Sequence, residues 1–382
     1  MQALPLIDDQ RVQRLFPSLS KMTYLASCSH GLQSVKAAEA LQQYLKDWRD
    51  IGTPWIEWEK KLSTASGFFG DLIGVQPNEI APTYSVTTAL NTLLSCFDFS
   101  KGKNIVTSNL EFPTVSHALL ARKSLGVEIR MVNSSNYQSS VDQYEKLIDE
   151  NTILVTAVHT CSVNGFKQDL GAIADIAHRN GAYVFSDLYQ SVGAMPLDMH
   201  KFNIDFAAAG TYKYLLGTGG FAFLYVRNDL INKLDPKVIG WHSQADRFGF
   251  GPTQLSYASN AGRFMLGTPS HPSVYSGVAG MQIIKDQGID NIWNRISDLS
   301  KYGTEQALVK GFQLLSPLSK EKRGPMISLL LDDPHESELR IRGKDILTSA
   351  RSEGLRLSFH FYNSRFDVDA ALEALGRNEV DH

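Results

Sequence analysis

Short apolar runs alternate with amphipathic segments through the middle of the chain. The apolar runs predict six strands, at residues 104–108, 127–132, 152–158, 182–186, 206–209 and 221–226. Apolar positions at helical spacing predict helices between some of them, at residues 114–124, 141–148 and 168–180. Such alternation is typical of a mostly parallel sheet with helices on both faces. We therefore predict a three-layer α/β fold.

The pattern differs on either side of this region. Before it, the sequence predicts a brief strand and turn at residues 22–31 and helices at residues 34–49, 55–72 and 89–97. After residue 227, it predicts strands at residues 326–331 and 355–361 and helices at residues 276–287, 292–310, 343–353 and 367–375. The predicted division is an N-terminal arm at residues 1–30, a large domain at residues 31–260 and a smaller α+β domain at residues 261–382.

The stretch from Asp205 to Arg227 has one charged side chain between its two ends, Lys213. Its other residues are apolar, hydroxyl-bearing or glycine, and small residues let a backbone approach a ligand closely. An ammonium buried there has a lowered pKa and is a ready amine nucleophile. Formation of an imine with an aldehyde satisfies the same surroundings. The alternative is a lysine whose stem crosses apolar surface while its head reaches water.

Ligands of parallel sheets bind at the carboxyl ends of the strands. Four features fall at such ends: Phe112, the loop at residues 159–165, Asp187 with Gln190, and Lys213. The hydroxyls of Ser85, Thr87 and Thr88 stand where a predicted helix begins, and a helix N-terminus is a natural phosphate site. Simple N-capping also explains these hydroxyls, as it explains Asp187 taken alone.

A pyridine-aldehyde cofactor needs four groups from its protein. These are an amine for the aldehyde, a carboxylate for the ring nitrogen, an aromatic face for the ring and a helix N-terminus for the phosphate. Lys213, Asp187, Phe112 and residues 86–88 offer these groups in turn.

Composition narrows the classes of partner. The formal net charge is -3, with no basic run, so nucleic acid and acidic membrane surfaces are not expected. No segment approaches the roughly 18 apolar residues of a membrane span. The N-terminal residues do not resemble a secretory signal. Three widely spaced cysteines indicate neither a metal site nor a disulfide framework, and they fit a cytoplasmic protein.

From about Tyr24 to Ala374 the chain resembles the fold-type I pyridoxal-phosphate enzymes of the class V aminotransferase group. The motifs are Phe185-Ser-Asp-Leu-Tyr-Gln-Ser-Val-Gly193, Gly210-Thr-Tyr-Lys-Tyr-Leu215 and Leu355-Arg-Leu-Ser-Phe-His-Phe-Tyr-Asn363. That group includes cysteine desulfurases, kynureninases and isopenicillin N epimerase-like proteins. The resemblance implies the fold-type I architecture, with pyridoxal 5'-phosphate as cofactor.

The resemblance also implies roles for matching residues. Lys213 matches the Schiff-base lysine, and Asp187 matches the carboxylate that keeps the pyridinium nitrogen protonated. Phe112 matches the residue stacked on the ring. Further cofactor contacts are implied for Gln190 and Ser162 at the phenolic oxygen and for Val86, Thr87, Thr88 and Tyr212 at the phosphate.

Other matches concern the substrate and a second subunit. Arg356 resembles the arginine that binds the substrate α-carboxylate, a role suited to its forked donors; Arg351 and Arg365 are interpreted as surface arginines. His30 is a candidate substrate contact, with a surface turn as the alternative. Trp241 and Thr268 match segments that reach the neighbouring subunit's cofactor, which implies a homodimer.

The expected activity is aminotransferase-type chemistry at the α-carbon of an amino acid. The alternatives are a C–S lyase and an epimerase similar to isopenicillin N epimerase. Persulfide-forming desulfurase chemistry is disfavoured because no cysteine follows Cys161 and the segment before Arg356 is short. Kynureninase is disfavoured because Gln190 stands where that group has histidine. A non-catalytic binding module is the hypothesis of a different class, and the intact Lys213, Asp187 and Arg356 argue against it.

Overall fold

The structure is a computed structural model that describes residues 9–99, 102–249 and 251–376. Residues 1–8 of the predicted arm and 377–382 of the predicted small domain lie outside the described residues. The strands are β1 (Thr23–Tyr24), β2 (Ile80–Thr83), β3 (Asn104–Ser108), β4 (Glu128–Val132), β5 (Thr152–Thr156), β6 (Tyr183–Asp187), β7 (Phe206–Gly210), β8 (Ala222–Val226), β9 (Gln313–Leu314), β10 (Met326–Leu330), β11 (Ile346–Leu347), β12 (Ser349–Arg351) and β13 (Gly354–Ser358).

Helices cover the strands and connect them. They are α1 (Asp9–Leu15), α2 (Val35–Ile51), α3 (Trp55–Ile73), α4 (Val86–Leu94), α5 (Pro113–Leu120), α6 (Val141–Glu145), α7 (Leu170–Arg179), α8 (Asn228–Ile231), α9 (His271–Gln287), α10 (Ile289–Val309), α11 (Pro334–Arg342) and α12 (Arg365–Leu375). No helix among the described residues combines the length and the apolar character needed to cross a bilayer.

Within the described residues, seven strands form the central sheet in the order β2-β8-β7-β6-β5-β3-β4. The strands β3 to β7 pair in parallel, whereas β8 is antiparallel to both of its neighbours. All six predicted strands are present. Five of them are largely buried, whereas β4, which reads Glu-Ile-Arg-Met-Val, lies at an edge of the sheet and is partly exposed. The mostly parallel α/β prediction is confirmed.

Strand β2 was not predicted. It lies at the edge of the central sheet, where β8 is its one partner among the described strands. It has four residues and contains Pro82, which lacks a backbone N–H and weakens the strand pattern. An edge position tolerates such a residue, and tertiary pairing with β8 supplies the order that the local sequence does not indicate.

A four-stranded sheet, β12-β13-β10-β9, lies in the C-terminal part, and its pairs are antiparallel. The predicted helix at residues 343–353 is wrong. The helix of this region is α11, where the Asp333 side chain accepts a hydrogen bond from the Glu336 N–H and Pro334 occupies the first turn. Residues 346–351 instead form β11 and β12, which pair with β1 and β13.

Two large hydrophobic cores hold the described residues together, and a third, small cluster contains Leu110, Val158, Cys161 and Phe166. The first extends along the sequence from Leu62 to Met281 around the central sheet. The second joins Val12–Leu32 to residues from Ile283 onward. The arm thus packs with the C-terminal part, and the division at residues 30 and 260 stays a prediction.

Candidate active site

One cavity of about 160 Å3 lies at the carboxyl ends of β6 and β7, beside the N-terminus of α4. Eight of the residues selected from the sequence line it: Val86, Thr87, Phe112, Ser162, Asp187, Gln190, Tyr212 and Lys213. They come from separate segments of the chain, and the parallel strands bring them to one edge, as expected of such a sheet.

Lys213 follows β7 after a short turn. Its side chain is 7% exposed. Burial lowers the pKa of the amine to about 8, against the opposing attraction of Asp187. The Nζ atom lies 4.5 Å from the ring centroid of Tyr189 and 5.6 Å from that of Phe112. About a tenth of this amine is therefore uncharged at pH 7, far more than of an ordinary lysine, and the uncharged amine is the nucleophilic form.

The N-terminal arm lies directly against the lysine turn. The Gly31 N–H donates to the Tyr212 carbonyl oxygen at 2.7 Å. A Cβ atom at Gly31 would overlap the carbonyl oxygen of Lys213. Only glycine therefore permits this approach of the two backbones.

Asp187 ends β6 and is 3% exposed. Its Oδ1 accepts a hydrogen bond from the Tyr189 N–H at 2.8 Å. Burial raises the pKa of this carboxyl, while the hydrogen bond and the charge of Lys213 lower it. Asp187 thus caps the following turn, as the simpler interpretation holds, and also lines the cavity. The two roles coexist.

Gln190 reaches from the same turn to the arm. Its amide nitrogen donates to the Cys28 carbonyl oxygen at 2.9 Å. Its Oε1 is buried and has no hydrogen-bond partner among the described residues. A buried polar atom of this kind in a cavity wall is satisfied by a bound group.

Glu111 is a buried carboxyl that the sequence did not bring to attention. Its Oε1 accepts a hydrogen bond from the Val158 N–H at 2.8 Å, and its Oε2 has no partner in the described part of the chain. Burial, and then the negative charge of Asp187, raise its pKa to about 8. Glu111 therefore holds a proton at neutral pH.

The N-terminus of α4 faces the cavity. Ser85 caps this helix, because its Oγ accepts a hydrogen bond from the Thr88 N–H at 3.1 Å and contacts the Thr88 hydroxyl at 2.9 Å. Thr88 is thus engaged in the cap and does not line the cavity. Val86 and Thr87 do, so the first-turn backbone of α4 is presented to any anion held there.

Arg356 lies on β13 and is 1% exposed. Its guanidinium donates to the Ser162 carbonyl oxygen at 2.7 Å, to the Ser349 carbonyl oxygen at 3.0 Å and to the Ser349 Oγ at 2.5 Å. Ser162 in turn lines the cavity. Arg356 thus stands immediately behind the cavity wall, held by neutral acceptors only.

Arg351 is not the surface residue that its sequence context suggested. It is half-buried, and its guanidinium carbon lies 5.6 Å from the Phe112 ring centroid. Burial, and then the positive charge of Arg356, lower its pKa. Arg365 is exposed, against the ring of Tyr302.

Besides Thr88 and Arg356, three further predicted site residues do not line the cavity. His30 is exposed, and its ring centroid lies 5.4 Å from that of Tyr212. Thr268 is also exposed, although its carbonyl oxygen accepts from the hydroxyl of Tyr84, a lining residue. Trp241 is half-buried against Trp55. Their assigned roles stay predictions.

Tyr189 is a further site residue that was not predicted from the sequence. Its ring lies nearer to the Lys213 amine than the rings of Phe112 and Tyr212 do. Its hydroxyl would meet a Cβ atom at Gly210, so the glycine ahead of the lysine turn makes room for it. A tyrosine two residues after Asp187 and a glycine three before Lys213 were visible signals, but their contact depends on the pairing of β6 with β7.

The chain was compared with protein families and with known proteins. The family model described as aminotransferase class V matches residues 25–371. A Bacillus subtilis (strain 168) protein named "uncharacterized aminotransferase YcbU" is 32% identical over 380 residues, which is 100% of both chains. A kynureninase of Bacillus mycoides (strain KBAB4) is 27% identical, with 93% of this chain and 89% of that protein covered.

Solved structures share the fold. A variant of C-DES, with glycine covalently linked to its pyridoxal-phosphate cofactor, superposes with a TM-score of 0.88 at 20% identity, over 95% of this chain and 98% of that chain. C-DES is named a cystine C–S lyase.

Proposed function

The chain belongs to the class V aminotransferase family, and we propose that it catalyses an aminotransferase-type reaction at the α-carbon of an amino acid. Members of this family are enzymes that depend on pyridoxal 5'-phosphate, and this protein is such an enzyme. The observation that carries the proposal is the meeting of Lys213, Asp187 and the N-terminus of α4 in one cavity.

The residues present fit the cofactor. The N-terminus of α4, at Val86 and Thr87, would hold the phosphate, and the Asp187 carboxylate would hold the ring nitrogen in its protonated form. Phe112 would lie against the ring, and the unpartnered Oε1 belongs to Gln190, the residue assigned to the phenolic oxygen. Lys213 would bind the aldehyde. When bound, the cofactor supplies an electron sink for negative charge at the substrate α-carbon.

The protein's own contribution centres on the Nζ atom of Lys213. An amine with a pKa of about 8 exchanges protons readily near neutral pH, so Nζ is suited to remove a proton from the α-carbon and to return one. The rings of Tyr189 and Phe112 flank this atom and keep water from much of its surface. Arg356 would hold the substrate α-carboxylate through its forked donors.

Transamination is favoured by the 32%-identical relative, which aligns over its whole length and is named an aminotransferase. The second candidate is a C–S lyase that works without a cysteine. No cysteine lines the described cavity, and β12 joins β13 through the two residues Ser352 and Glu353. A turn of that length has no room for the cysteine-bearing loop of a persulfide-forming desulfurase.

We further infer that the enzyme works as a homodimer. Thr268 and Trp241, which do not line the cavity of their own chain, are the residues expected to reach the partner's cofactor. The Tyr84 hydroxyl joins the Thr268 backbone to the cavity edge at 2.8 Å, so a second subunit would complete the site there.

The first experiment is the visible absorption spectrum of the purified protein with cofactor, before and after amino acids are added. We expect a cofactor band that borohydride removes and that is absent in Lys213→Ala but present in Lys36→Ala, which alters an exposed lysine. Formation of a 2-oxo acid together with the amine form of the cofactor supports transamination. Pyruvate with sulfide release supports the lyase. A colourless protein after incubation with cofactor contradicts the assignment.

A further inference from the structure

Two arginines stand on one face of the β12–β13 hairpin. Arg356 pairs with Ser349 across the two strands, and Arg351 lies two residues further along β12. Side chains alternate along a strand, so Ser349, Arg351 and Arg356 project to the same side. Diagonal neighbours of this kind lie roughly 7–8 Å apart, within the reach of two long side chains. The hairpin thus presents two guanidinium groups toward one region.

That region adjoins the wall of the active-site cavity. The guanidinium carbon of Arg351 lies 5.6 Å from the Phe112 ring centroid, and the Nζ atom of Lys213 lies at the same distance from it. Arg356 donates to the backbone of Ser162 in the cavity wall. Neither arginine lines the cavity itself, but each contacts a residue of its wall, Arg356 at Ser162 and Arg351 at Phe112.

Neither arginine has an anionic partner among the described residues. Arg356 donates to a serine hydroxyl and to carbonyl oxygens, all neutral, and no ion pair is recorded for it or for Arg351. The nearest acid in sequence, Glu353, accepts a hydrogen bond from the Tyr137 hydroxyl at 2.9 Å. A buried guanidinium without a counter-ion is costly, and two together repel each other.

The balance of charge around the cavity also favours an anionic ligand. Lys213, Arg351 and Arg356 supply positive charge, whereas Asp187 is assigned to the cofactor nitrogen and Glu111 carries a proton at neutral pH. The cofactor phosphate has its own place at α4. The α-carboxylate of an ordinary amino acid would neutralise one arginine and leave the other unpaired.

We propose that Arg351 and Arg356 form a paired carboxylate site and that the substrate is an amino acid with a second carboxylate in its side chain. Arg356 holds the α-carboxylate, and Arg351 holds the distal one over the face of Phe112. Arg351 is then the residue that determines specificity. This inference rests on the proposed function, because it names the substrate class of the same site.

Binding tests the site without turnover. Holoenzyme is titrated calorimetrically with succinate and glutarate and with the monocarboxylates butanoate and pentanoate. We expect the dicarboxylates to bind at least about tenfold more tightly. Arg351→Gln should remove most of that preference, and Arg351→Lys should keep part of it. Arg365→Gln is the matched control, since Arg365 also lies over an aromatic ring, 4.8 Å from the Tyr302 centroid, but is exposed on α12.

Kinetics then test the substrate class. The holoenzyme is assayed with aspartate against asparagine and with glutamate against glutamine. We expect Arg351→Gln to lower kcat/KM for the acid by about tenfold or more, mainly through KM, and to leave the amide little changed. Equal binding of mono- and dicarboxylates by the wild type, or an equal loss for acid and amide in the variant, overturns the inference.

The two proposals fail in different ways. If neutral amino acids react and acidic ones do not, the substrate class is wrong and the proposed function stands. If dicarboxylates bind in an Arg351-dependent manner but no amino acid alters the cofactor spectrum, the proposed function is wrong, and with it the substrate, whereas the paired site remains as a ligand site.

Discussion

At the scale of single residues, the groups suited to chemistry are also groups that oppose folding. The Lys213 amine is buried among rings and glycine-rich backbone, so its charged form is disfavoured in the folded protein. The unfolded chain holds this proton up to its ordinary pKa of 10.5, whereas the folded protein releases it above about pH 8. The penalty is therefore full below pH 8 and fades as the pH rises to 10.5.

Replacement of Lys213 by methionine should therefore stabilise the cofactor-free protein while it abolishes cofactor attachment. We expect the free energy of unfolding at pH 7 to rise by up to about 3 kcal/mol, because the pKa of the amine falls from 10.5 to about 8 on folding. Urea denaturation of both proteins at pH 7 and pH 10.5 measures this difference in the free energy of unfolding, which should be small at the higher pH. A cofactor-free variant less stable than the wild type at pH 7 would show that the amine is not desolvated.

Glu111 gives the opposite pH dependence. Its folded pKa of about 8 lies above the ordinary 4.5, so stability is full below pH 4.5 and declines as the pH rises to 8. Glu111→Gln keeps the acceptor for the Val158 N–H and removes this decline. From pH 4.5 to 9 we expect the variant to gain up to about 5 kcal/mol relative to the wild type. Glu39→Gln, on the exposed face of α2, is the control, and parallel pH profiles for wild type and Glu111→Gln would refute the buried carboxyl.

The sequence identified those site residues whose neighbours along the chain are unusual for their type. Lys213 stood out as a lone charge in an apolar stretch, and Asp187 as the polar end of a buried strand. Tyr189, Glu111 and Arg351 did not stand out, because their importance comes from neighbours that are distant in the sequence. The sequence alone does not show which side chains at strand ends reach the cavity, because that depends on how the strands pair.

At the scale of elements, buried strands were predictable and pairing-dependent ones were not. The strands β3 to β8 each contain a short stretch rich in apolar residues, which the local sequence is enough to indicate. Residues 346–351 form strands because β1 and β13 lie beside them, so local propensity gave a wrong helix there. The error matters for function, since a helix would separate Arg351 from Arg356 and the hairpin instead places them on one face.

The arm and the lysine turn form a contact that one added methyl group should break. Gly31→Ala places a Cβ atom against the Lys213 carbonyl oxygen, and we expect a loss of about 1–3 kcal/mol in stability with weaker cofactor binding. Gly67→Ala in α3 is the control, because its Cβ would meet nothing within 4 Å. There we expect no loss, or a gain of about 0.5–1 kcal/mol. Thermal unfolding and cofactor titration of both variants measure the difference, and equal behaviour would contradict the contact.

At the scale of the whole molecule, an exposed apolar surface lies where α2 ends and α3 begins. This α2–α3 patch consists of Leu45, Trp48, Ile51 and Ile56, whose exposed fractions are 57%, 56%, 59% and 82%. Leu45, Trp48 and Ile51 follow one another at a spacing of three and share a helix face. Contiguous apolar surface of this kind is typical of an interface. We expect it to contribute to the inferred homodimer.

Charges placed on the α2–α3 patch should separate the subunits. The double variant Trp48→Asp with Ile51→Asp is expected to sediment with the mass of one chain and to bind cofactor more weakly, because the partner then completes neither site. Phe366→Asp is the control, since Phe366 is 75% exposed on α12, away from the patch. A double variant with the mass and cofactor affinity of the wild type would place the interface elsewhere.

The pairing of the arm with the C-terminal part also sets an order of events during synthesis. The backbone of Leu25 bonds to Leu347 and Ser358, and the same arm carries Gly31 to the lysine turn. A ribosome adds about 5–20 residues per second, so the arm emerges roughly 15 to 60 seconds before its partners. The nascent chain can complete the central sheet in that interval. The contact between Gly31 and the turn that carries Lys213 is held in place only after residues 347–358 have been made. We therefore expect cofactor capture to follow the synthesis of residues 347–358.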